Sequence, residues 1–253
     1  MDLMKNMDHF VWDIETLGTE ADAVVTNIGI VKFNFLTGKV LASYETAFDV
    51  QEQLEAGRTV EASTLAFWFK QPEDAQKPVL QAMGESDIII DSLNGALRML
   101  SGWIQDNSTG ADVSIWGNGP SFDNAIMKDL YRQAGLKYPF KYNADRCMRT
   151  IVDICRNSVG VDPKKAIENV GVVHDALDDA VYQAKVISYA NNKISEATNP
   201  NVDNLDFFKT ADLVASLIKR GGVENKVVPA YEKSSLRAIG PATLVLVPNR
   251  EVK

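Results

Sequence analysis

The chain has 253 residues, 45% hydrophobic and 24% charged, which suits a folded globular protein and excludes disordered, collagen-like and disulfide-stapled classes. Its formal net charge of −8 speaks against coating duplex nucleic acid through bulk positive charge. No apolar run approaches the roughly 20 residues of a membrane helix, the first eight residues do not read as a secretory signal, and Cys147 and Cys155 are too few and too far apart for a disulfide framework or a CxxC site, so a reducing cytoplasm is expected.

In chain order, Phe10 to Glu15 reads as a strand. Phe10, Trp12 and Ile14 alternate with Val11, Asp13 and Glu15, so one face is bulky and apolar while the other ends in two carboxylates. Val24 to Phe35 and Lys39 to Phe48 continue it as an antiparallel pair turning at Thr37-Gly38. Ser63 to Lys70 is expected to be a short helix capped by Ser63 or Thr64, with Leu65, Trp68 and Phe69 on one side, after which Pro72 and Pro78 punctuate the path. Leu93, Leu97, Leu100 and Ile104 recur at helical spacing and predict a core-facing helix between Ile90 and Gln105.

Asp112 to Trp116 is a short strand, Gly117-Asn118-Gly119-Pro120 a sharp turn, and Ser121 to Gly135 a helix stopped by its glycine. A strand near Tyr142 and helices over Met148 to Arg156 and Ala176 to Asn191 complete the pattern. Three strands followed by alternating helices and strands predict an α/β fold, a mixed sheet covered by helices. Asn199-Pro200-Asn201 marks a boundary, so residues 1–198 are expected to form one domain and 199–253 a C-terminal extension with one amphipathic helix, Leu205 to Lys219. From Lys128 to Lys165, nine basic residues stand against four acidic ones. That stretch reads either as an ordinary solvated surface or as a phosphate-tracking rim.

Three acidic segments carry the chemistry. Asp13 and Glu15, two apart on a strand, project to the same face, where two anions repel unless a cation neutralises them. Asp123 falls in the first turn of a helix after a strand, where it either complements the helix dipole or meets a ligand at the sheet edge. In His174-Asp175-Ala176-Leu177-Asp178-Asp179, Asp175 and Asp178 have the offset of a helix cap and its N3 partner. Asp179 is then left free, and His174 on the preceding loop is a base candidate.

Together, Trp12-Asp13-Ile14-Glu15-Thr16-Leu17-Gly18, Trp116-Gly117-Asn118-Gly119-Pro120-Ser121-Phe122-Asp123, and His174 followed five positions later by Asp179 resemble the three motifs of the DEDDh exonuclease superfamily. The wording is closest to phage-type exonucleases and mycobacterial-type 3′-5′ exoribonucleases. The resemblance implies a ribonuclease H-like fold with a five-stranded sheet and 3′-5′ hydrolysis of single-stranded RNA or DNA ends to nucleoside 5′-monophosphates. It implies Asp13, Glu15, Asp123 and Asp179 as ligands of two divalent ions, Mg²⁺ or Mn²⁺, with His174 as the general base. Thr16 would help to hold the terminal nucleotide. Leu17 is a further substrate-side candidate, because Thr19 stands where the family usually has an apolar wedge; Trp68 is another, read either as stacking on a base or as core packing in a helix rich in Leu65, Phe67 and Phe69, and Phe122 is a third, read as packing beneath Asp123. A homodimer and a cytoplasmic location, the host's for a phage protein, are further implications. Two other readings compete. One is a helical metal phosphohydrolase built on His174-Asp175, for which only His9 remains as a second histidine; the other is a catalytically silent protein of the same fold that binds nucleic-acid ends.

Overall fold

The structure is a computed structural model that describes residues 7–84, 91–110, 112–119 and 121–198. The expected extension over 199–253, with its helix at Leu205 to Lys219, lies outside the described residues. Strand β1 (Met7–Thr16) pairs antiparallel with β2 (Val25–Phe33), which pairs antiparallel with β3 (Val40–Ala47). On its other side β1 pairs parallel with β4 (Asp112–Gly117), which pairs parallel with β5 (Asp145–Cys147). The sheet order is therefore β3-β2-β1-β4-β5, a mixed ribonuclease H-like sheet. The strand expected near Tyr142 begins three residues later, because Tyr142 is in a turn and almost fully exposed.

Alternation along β1 divides the core. Phe10, Trp12 and Ile14 pack with Ile28 and Ile30 of β2 against helix α4 (Leu93–Asp106), through Leu93, Leu97, Leu100 and Ile104, and against α5 (Asp123–Gln133), through Ile126, Met127 and Leu130. Val11 faces the opposite layer, with Val31, Phe33 and Trp116, under α6 (Met148–Val159) and α8 (Ala176–Thr198). Period-two strands and period-3.6 helices thus bury one face each. The carboxylates of β1 share their face with α8. That helix lies tightly on β2, since a Cβ at Gly29 would come within 2.3 Å of the Leu177 backbone.

Local expectations fail where capping and tertiary contact override composition. Helix α2 (Ala62–Trp68) starts before Ser63 and Thr64, with Glu61 at the N-cap and no side-chain cap hydrogen bond. Pro72 and Pro78 do not merely interrupt the chain: Pro72 is the N-cap of α3 (Glu73–Ala82) and Pro78 lies inside it. Acidic Glu73 and Asp74 complement that helix's N-terminus, and Ala75, Val79 and Ala82 bury one stripe. The short helices α1 (Val50–Glu55), capped by Asp49, and α7 (Pro163–Ala166), capped by Asp162, carry too little periodicity to be read from sequence. Among the described residues, no helix is long and apolar enough to cross a membrane.

Candidate active site

Asp13, Glu15, Asp123, His174 and Asp179 line one cavity of about 470 Å³, together with Thr16, Phe122, Trp68 and others. Strand β1 delivers Asp13 and Glu15. Asp123 arrives from the β4–α5 corner in the first helical turn, where its Oδ2 accepts the Asn118 backbone N–H at 2.7 Å. Asp179 arrives from the first turn of α8.

The start of α8 is built by its own carboxylates. Asp175 Oδ1 accepts the N–H groups of Leu177 and Asp178, the capping role expected of it. Asp178 does not return the bond as in a capping box; its Oδ2 accepts from Val172 and hangs the preceding loop on the helix. Asp179 Oδ2 accepts the His174 N–H at 3.1 Å, while Asn169 donates to Oδ1 at 3.4 Å. His174 sits at φ 68°, left-handed backbone uncommon for a non-glycine residue. Its ring stands edge-on to Phe67, with centroids 5.1 Å apart.

Burial sets the electrostatics. Asp13 and Glu15 are pushed well above the usual carboxylate range by loss of water and then by neighbouring carboxylates, Asp123 and Asp179 for Asp13, and Asp13 first for Glu15. Burial raises Asp123 to about 6, opposed by backbone N–H groups and by Arg149. It also raises Asp179, against the pull of the His174 and Asn169 hydrogen bonds. Four carboxyls pushed toward protonation in one site are a cost that a bound cation removes. Glu15 Oε1 is buried without a hydrogen-bond partner, and single ligand atoms of Glu15, His174 and Asp179 lie within 4.8 Å of one another. This donor set fits a hard divalent cation.

The substrate-side candidates separate. Thr16 and Phe122 line the cavity, Thr16 donating its hydroxyl to Gly18 O at 2.7 Å and Phe122 packing on the main core. Leu17 does not line it: just beyond β1, after the register shift between Glu15 and Thr16 that breaks the strand's alternation, it packs into a separate cluster with Val24, Val50 and Trp68, 2% exposed. Trp68 reaches the cavity from a buried position, with its indole N–H committed to Thr16 O at 2.9 Å. Its neighbour Phe67, read from the sequence only as core packing, lines the cavity while 40% exposed. Thr19 at the rim is held through its N–H and hydroxyl by the Glu61 carboxylate. Gln183, Asn118, Asn169 and Arg149 were also not singled out. Gln183 had a local signal in lying four residues after Asp179 on the same helix face, Asn118 in the second motif and Arg149 in the basic stretch from Lys128 to Lys165.

Residues 8–191 match the model of a family described as the Rv2179c-like 3′-5′ exoribonuclease domain. Solved structures share the fold at low identity. The nuclease domain of 3′hExo, a DEDDh family member, bound to rAMP, is 14% identical with a TM-score of 0.52, over 74% of this chain and 93% of that one. Cell-death related nuclease 4 (CRN-4) is 14% identical with a TM-score of 0.55, over 84% and 77%. The zinc-bound form of an E. coli ExoI-ssDNA complex is 13% identical with a TM-score of 0.51, over 83% of this chain and 45% of that one. No curated protein matches the chain.

Proposed function

Because the chain belongs to the family described as the Rv2179c-like 3′-5′ exoribonuclease domain, we infer that its five-residue site hydrolyses the last phosphodiester of single-stranded RNA and releases nucleoside 5′-monophosphates. What supports this reading is the convergence of Asp13, Glu15, Asp123, Asp179 and His174, drawn from β1, the β4–α5 corner and the start of α8, on one cavity. Asp13, Glu15, Asp123 and Asp179 would hold divalent cations, Mg²⁺ or Mn²⁺. When bound, such ions supply a water activated for attack and charge stabilisation at the departing oxygen.

The chain's own residues do the rest. The His174 imidazole takes a proton from the attacking water as its oxygen bonds to phosphorus. The P–O3′ bond breaks, and the upstream strand leaves with a free 3′-hydroxyl. Thr16 and the hydroxyl-bearing rim of Thr19, Ser63 and Thr64 face the terminal sugar, and Phe67 offers its exposed ring to the terminal base. RNA follows from the family's description.

The test uses 5′-labelled RNA and DNA oligomers with Mg²⁺, Mn²⁺ or EDTA, comparing the native protein with Asp123→Ala and His174→Ala. A stepwise ladder on RNA that vanishes with chelator and with Asp123→Ala is the expected result. Internal cuts, or an Asp123→Ala ladder like that of the native protein, would overturn the reading, and an equal rate on DNA would remove the RNA preference.

A further inference from the structure

The nine basic residues between Lys128 and Lys165 have different fates in the fold. Lys128 pairs with Asp145, Arg132 with Asp129, Lys141 with Asp112, and Arg156 with Asp153 and Asp162. Arg146 donates to the carbonyls of Asn143 and Asp145. Arg149, like Lys137, Arg146, Lys164 and Lys165, has no carboxylate partner within ion-pair distance among the described residues, but it alone of the nine lines the catalytic cavity.

Its placement follows from the sheet. Arg149 is the second residue of α6, directly after β5, and its Nε reaches Asn118 Oδ1 at 3.5 Å. Asn118 in turn holds Asp123 Oδ2 through its backbone. The Arg149 guanidinium carbon lies 3.6 Å from where a Cβ at Gly119 would stand, ordinary contact distance, so the guanidinium packs beside the β4–α5 turn.

The cavity therefore has two unlike sides. From the β1–α2 side come Thr19, Ser63, Thr64, Phe67 and Trp68, neutral hydroxyls and aromatic rings suited to a nucleoside; from the β5–α6 side comes Arg149. Resting on the nuclease reading above, we propose that Arg149 binds the phosphate on the 5′ side of the scissile bond and so marks where the strand leaves the site. With a terminal nucleoside against α2 and the reacting phosphate at the carboxylates, the chain's next phosphate emerges on the β5–α6 side. A guanidinium matches its oxygens with two parallel N–H donors.

The experiment compares two substrates that differ in that phosphate. A 5′-labelled RNA oligomer carries it; uridine 5′-monophosphate p-nitrophenyl ester presents a scissile phosphodiester without it. For Arg149→Ala, the loss of kcat/KM on the oligomer should exceed the loss on the ester by about tenfold, chiefly through KM, and the slope of log K against log salt should shrink by about 0.7, one phosphate contact. Arg149→Lys should recover part of the oligomer's affinity. Equal losses on both substrates, or an unchanged salt slope, would overturn the proposal. Anisotropy of a labelled oligomer in Ca²⁺ gives the same comparison without turnover. A native protein that binds but never cuts would sink the nuclease reading while leaving the Arg149 contact measurable by its salt slope.

Discussion

Gln183 on α8 donates its amide N–H to Asp13 Oδ1 at 2.5 Å, so the helix that carries Asp179 also holds the first carboxylate of β1. Gln183 is 2% exposed and its own Oε1 has no partner among the described residues. The bond fixes one oxygen of Asp13 and lowers the proton affinity that burial raises. Partners of this kind orient metal ligands, and losing one typically costs about 10- to 100-fold in metal affinity or activity. Gln183→Leu should therefore raise the half-saturating Mg²⁺ concentration by about tenfold or more, read from the rate on labelled RNA. A Mg²⁺ titration identical to the native protein's would show that Asp13 needs no such support.

The carboxylate site should cost the metal-free protein stability at neutral pH. Asp123 has its pKa raised from 3.8 to about 6, so its favourable contribution is complete below pH 3.8 and is lost as pH rises through about 6. Asp123→Asn keeps an acceptor for the Asn118 N–H and removes the buried charge. In EDTA at pH 7.5 it should stabilise the fold by about 2 to 3 kcal/mol, from a shift of about two units at 1.36 kcal/mol each, and it should lose most of the stabilisation by added Mg²⁺. Urea unfolding with and without Mg²⁺ measures both, and a destabilised Asp123→Asn in EDTA contradicts the account.

His9 titrates in the opposite sense. Burial, with repulsion from Arg146, lowers its pKa from 6.5 to about 4, against the pull of Asp8. Its Nδ1 accepts the Trp116 indole N–H at 3.2 Å, and its ring stacks on Phe35 at 4.2 Å. The neutral form fits, so its stabilisation is present above pH 6.5 and is lost as pH falls through 6.5 toward about 4. The loss amounts to about 3 kcal/mol at 1.36 kcal/mol per unit. His9→Asn, which retains an acceptor for Trp116 but does not titrate, should flatten the acid limb of the stability curve. An acid limb as steep as the native one would assign it to other groups.

Adjacent aromatics on α2 should separate by function. Phe67→Ala removes a half-exposed ring beside His174 and should raise KM for RNA by roughly tenfold, within the range for loss of one stacked base, with little change in unfolding midpoint. Trp68→Ala removes a buried side chain and its bond to Thr16 O and should destabilise by about 3 to 5 kcal/mol. If Trp68→Ala changes KM alone, the two roles are exchanged.

Three features were legible in the chain because they depend on near neighbours. Alternation in Phe10 to Glu15 set which side chains share a face of β1, the stripe from Leu93 to Ile104 set the buried side of α4, and Asp175 announced the start of α8. Helix α3 escaped because its two prolines look like breaks when only the backbone donor they lack is considered, whereas Pro72 at the cap needs none and Ala75, Val79 and Ala82 find a place to bury.

The amino-acid order determined which residue types are present for the chemistry and, through strand and helix periodicity, on which face of its own element each one lies. Tertiary structure alone decided which faces meet. It placed Asp13 under Gln183, turned Leu17 into a neighbouring core cluster, exposed Phe67 while burying Trp68, and paired four of nine basic residues with acids while leaving Arg149 at the cavity. Hydrogen-bonding geometry along the chain is local, but burial and charge pairing depend on groups tens of residues away, and these set the carboxylates' proton affinities.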